Sequence, residues 1–131
     1  MRKVFQLDTN DVMPTAEEVL ASQGMAGRKD IPARINDLLC SALELFGRLA
    51  EPKGVFEEWP IAEFGVVYDG KGLNDPEGPV PAIVSRADAL ALFVATMGDS
   101  LIAESSKLFA QGRAALGYML DSVNTSGAER L

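Results

Sequence analysis

The chain has 131 residues, 47% of them hydrophobic and 24% charged, a balance that suits one globular domain with its own core and is too short for a second. Nineteen acidic against twelve basic residues give a net charge of −7, which repels nucleic-acid phosphates and anionic membrane surfaces. Histidine is absent and Cys40 is the only cysteine, which excludes Ser/His/Asp and Cys/His catalytic arrangements, histidine-ligated zinc and an intrachain disulfide.

Residues 3–7 (KVFQL) read as a short extended segment. The following stretch predicts a brief helix: Thr15 as N-cap has Glu18 three residues on, the capping-box spacing, and Gly24 closes it. A long helix comes next, with Asp30 as its expected cap, Pro32 in the first turn where a missing N–H costs nothing, and Glu51-Pro52 as its stop. Within it Ile35, Leu38, Leu39, Ala42, Leu45, Phe46 and Leu49 recur at steps of three and four, one broad apolar stripe that must be buried.

Residues 53–60 (KGVFEEWP) predict a strand. Residues 61–68 (IAEFGVVY) are read as a short helix, although a strand fits the same apolar run, and the Gly- and Pro-rich residues 69–81 as a loop. Residues 80–87 suggest another short helix. After Asp88 the run ALALFVATMG is continuously apolar, of strand length, and ends at a glycine. That is the pattern of a strand buried on both faces, so residues 89–97 are expected in the interior of a sheet.

Two helices follow, from Ser100 to Ala110 and from Arg113 onwards, broken at Gln111-Gly112. Leu101, Ile102, Leu108 and Phe109 mark the inner face of the first; Leu116, Met119, Leu120 and Val123 mark that of the second. The helical pattern runs on through NTSGAERL without a stop signal, as in a helix cut in mid-turn. The fold class is therefore α/β, as a single domain over residues 1–131. The N-terminus lacks the apolar stretch of a signal peptide, no window approaches the roughly 20 apolar residues of a membrane span, and the expected location is the cytoplasm.

Few residues offer chemistry. Gly70-Lys71-Gly72 could approach an anion, but it lacks the third glycine of the dinucleotide fingerprint and the Gly-Lys-Ser/Thr ending of a phosphate loop. Asp8, Asn10 and Asp11 resemble the start of a calcium loop, yet Met13 stands where glycine is needed. The acid pairs Glu17/Glu18 and Glu57/Glu58 point apart on any regular element and read as surface charge, while Cys40, in mid-helix, reads as a buried and inert thiol. Trp59, Phe56 and Phe64 read as core packing, with a flat cofactor's pocket as the alternative. The most informative place is Thr96, Met97 and Gly98, followed by Asp99 as a helix cap. A strand that feeds a helix there presents its carboxyl end, where α/β folds collect ligands, and these three residues are the candidate cofactor-binding positions.

Laid end to end, R-A-D-A-L-A-L-F-V-A-T-M-G-D, an acidic helix ending L-F-A-Q-G, and G-Y-M-L-D-S-V-N-T-S-G-A-E-R-L resemble the activation domain of cobalamin-dependent methionine synthase and its shorter stand-alone relatives. The first half is similar as well, through E-E-V-L-x-x-Q-G, A-L-E-L-F-x-x-L-A-E-P and K-G-V-F-E-E. The resemblance implies an α/β arrangement around a small twisted antiparallel sheet. It implies a role in presenting S-adenosylmethionine to a spent cobalamin, with a corrinoid protein or methyltransferase, or a second copy of the chain, as partner. One departure matters: the family's S-adenosylmethionine motif, an arginine followed within a few residues by Gly-Tyr in a proline-rich stretch, has no counterpart. The Gly117-Tyr118 pair lies inside a predicted helix. The expectation is either a piece of a longer activator or a short form without the cofactor site, and a non-catalytic binding or assembly module is the competing reading.

Overall fold

The computed structural model describes residues 2–61 and 87–131. Among them the architecture is mixed α/β, with a small three-stranded antiparallel sheet and five helices. In chain order these are β1 (Arg2–Gln6), α1 (Thr9–Val12), α2 (Ala16–Ser22), α3 (Ala33–Leu49), β2 (Lys53–Pro60), β3 (Ala89–Thr96), α4 (Ser100–Ala110) and α5 (Ala114–Ala128). The chain divides into two compact units. One draws on Met1–Phe5 and Gly54–Val94, the other on Gln6–Lys53 and Ala95–Leu131.

Among the described residues the helical unit holds the hydrophobic core. Helix α5 packs against α4, α3 and α2, and the apolar spacing of the sequence explains how. Leu116, Met119, Leu120 and Val123 of α5 are all buried, as their three- and four-residue steps require. They meet Leu39, Ala42 and Phe46 from the stripe of α3, Leu101 and Leu108 from α4, Val12 from α1 and Val19 from α2. Small residues let the helices approach: a Cβ added at Gly127 would lie 2.7 Å from the ring of Phe46, which is fully buried. The inner face of α4 is narrower than its sequence suggests. Ile102 is 60% exposed, and Phe109, 45% exposed, lies across Gly117 of α5.

The helix ends follow local chemistry. The Thr15 hydroxyl accepts the Glu18 N–H at 3.1 Å, the expected cap of α2. That helix closes with a Schellman pair, in which the Gly24 N–H bonds to the Ala21 carbonyl at 3.0 Å and the Met25 N–H to the Leu20 carbonyl at 2.9 Å. Between α4 and α5 the same motif recurs, with Gly112 N–H to Phe109 and Arg113 N–H to Leu108; Gly112 sits at φ +76°, where a side chain would be strained. Asp8 caps the separate short helix α1 by accepting the Asn10 N–H at 2.9 Å, where the sequence suggested only one brief helix. Asp30 does not cap α3. Pro32 is the N-cap residue and its carbonyl accepts the N–H groups of Ile35 and Asn36, because the proline ring already fixes the extended entry that a cap needs.

In the other unit β2 is the middle strand, in the order β1-β2-β3. A Cβ added at Gly54 would meet the Phe5 ring at 2.5 Å and the Val94 carbonyl at 3.0 Å, so the missing side chain lets both edge strands close on β2. Residues 89–96 do form a strand, but the expectation that it is interior and buried on both faces is corrected. Among the described residues β3 is an edge strand, and Leu92, Phe93 and Val94 are 41%, 72% and 73% exposed. The physical reason is that a continuous apolar run reports a tendency to leave water, not which element covers it. Cys40 is the second correction: it lies on the exposed face of α3, one position past buried Leu39, where the stripe has turned away. The expected helices at 61–68 and 80–87 and the loop at 69–81 fall outside the described residues, apart from Ile61 and Ala87.

Candidate functional site

The end of β3 turns into α4 through Thr96, Met97 and Gly98, and their geometry defines the candidate site. The Thr96 hydroxyl accepts the Gly98 N–H at 3.1 Å, tightening the turn locally. Gly98 has φ +85°, and a Cβ there would stand 3.1 Å from Cβ of Glu51 and 3.4 Å from its Oε2, so both conformation and space select glycine. Met97 points into the core at 5% exposure, while its carbonyl accepts the Glu51 N–H at 2.8 Å.

Two further bonds bring a third segment to the same place. The Leu7 N–H donates to the Pro52 carbonyl at 2.9 Å, and the Thr9 hydroxyl donates to the Ala50 carbonyl at 3.3 Å. The segment after β1, the α3–β2 joint and the β3–α4 turn are thus joined by two backbone bonds and one threonine hydroxyl. Beside this junction lies a hollow of about 200 Å³ whose lining residues include Gln6, Thr9, Glu51 and Lys53. An amide, a hydroxyl, a carboxylate and an ammonium can hold a small zwitterionic or polar group; they do not form a nucleophile with a base. Thr96 and Gly98 serve the turn and Met97 serves the core. The residue that sequence reading missed is Glu51, read there only as a helix stop. Its role as the partner of Gly98 depends on a pairing 47 positions apart that no local pattern reveals.

No family model and no curated protein matches the chain.

The remaining candidates separate cleanly. Glu18 pairs with Arg130 at 2.6 Å and Glu57 with Arg2 at 3.1 Å, both at the surface, in keeping with solvated charge. Phe56 and Trp59 are half-buried on β2, but at an odd separation along a strand they project to opposite faces and do not share a pocket. Phe64 and Gly70-Lys71-Gly72 fall outside the described residues. Among the described residues no group of three His, Cys, Asp or Glu side chains could hold a metal ion, and no helix is long and apolar enough to cross a membrane. Gly117 and Tyr118 part company on α5: the glycine is buried under Phe109, while Tyr118, 62% exposed, borders an apolar groove of about 300 Å³ with Met25, Ile35, Leu38 and Met119. The Gln23 amide at its rim donates to the Ser122 hydroxyl at 3.1 Å, tying α2 to α5.

Proposed function

We propose that the chain is an accessory protein of corrinoid-dependent methyl transfer, related to the S-adenosylmethionine-binding activation domain of methionine synthase and acting in the cytoplasm with a corrinoid protein or methyltransferase. One observation carries the reading: a strand ending at Thr96, with Gly98 two residues on, leads directly into a closely packed helix pair whose sequence resembles that family. The long helix α3 running through A-L-E-L-F-x-x-L-A-E-P into β2 adds support. The edge position of β3 among the described residues counts against it, since the resemblance calls for an interior strand there, so the weight rests on the helical unit.

The junction hollow, at about 200 Å³, is smaller than the roughly 300–1,000 Å³ of ordinary ligand pockets. Its carboxylate and ammonium fit the charged amino-acid end of S-adenosylmethionine; the hollow does not fit the whole molecule or a corrin ring. Isothermal titration of the folded chain with S-adenosylmethionine and with cob(II)alamin is expected to give saturable heat with at least one of them. Silence toward both would remove the cofactor half of the proposal.

A second reading, a non-catalytic binding or assembly module that keeps the fold without the cofactor site, is favoured by a different observation: Leu92, Phe93 and Val94, on the two faces of β3, are all exposed. Light scattering across a concentration series separates the two. Association that disappears in Phe93→Lys supports the module, and a monomer at every concentration argues against it.

A further inference from the structure

We draw no further inference here: the strongest candidate, the exposed apolar patch of Leu92, Phe93 and Val94 on strand β3, carries nothing because nothing in the structure shows what covers it.

Discussion

Two glycines of α5 look alike in sequence and differ in what they touch. At Gly127 an added methyl group meets Phe46, a ring at 0% exposure with nowhere to retreat. Overpacking of that kind costs about 1–3 kcal/mol. The gain in helix propensity on replacing glycine by alanine, at most about 1 kcal/mol, is reduced so close to the helix end. At Gly117 the neighbour is Phe109, 3.1–3.3 Å from the added atom but 45% exposed and free to swing outward. Gly127→Ala is therefore expected to lower the urea midpoint clearly, and Gly117→Ala to leave it unchanged or raise it. Equal shifts in the two variants would show that burial of the facing ring does not decide the outcome. None of this could be read from the glycines themselves, since the deciding quantity is the freedom of a side chain on another helix.

At the level of elements, spacing and capping were enough to place most of the helices. Leu116, Met119, Leu120 and Val123 repeat at intervals that only one helix face can collect, and all four are buried. Thr15 and Gly112 act at the ends where their chemistry requires them. What stayed illegible was cross-element pairing. Ser105 of α4 reads as an ordinary polar residue on a helix surface, yet it is 4% exposed. It donates at 2.6 Å to the carboxylate of Asp121 on α5 and lies 3.3 Å from the Gly117 carbonyl. This hydroxyl ties α4 to α5 at one buried point beside their apolar contacts. Ser105→Ala should cost about 1.5 kcal/mol, the low end for a hydrogen bond to a charged group, because exposed Asp121 recovers water when its partner is lost. Thermal unfolding of the variant measures it, and an unchanged transition would mean that the two helices are held by packing.

Across the whole molecule, the fold class followed from composition and periodicity, whereas the rank of the strands in the sheet did not. The segment Ala89–Thr96 has the length and apolarity of a strand, but the same letters serve an interior strand and an edge strand, and Val4, Phe93 and Val94 are more than two-thirds exposed. Candidate residues at a strand end were likewise recognisable by position, while their neighbours were not: Gly98 announces a turn, and only folding reveals that Glu51 sits above it. That same meeting has a consequence for how the polypeptide can be cut. The N–H of Glu51 and the carbonyl of Met97 are 2.8 Å apart, so the helical unit is made of two stretches whose cut ends, Lys53 and Ala95, emerge side by side. A two-residue Asn-Gly turn is the natural bridge for such ends. A minimal protein joining 6–53 to 95–131 in this way would keep every apolar residue that is buried among the described residues, and it is expected to melt cooperatively by circular dichroism; a gradual, structureless melt would mean that the excised stretch is indispensable to the helices.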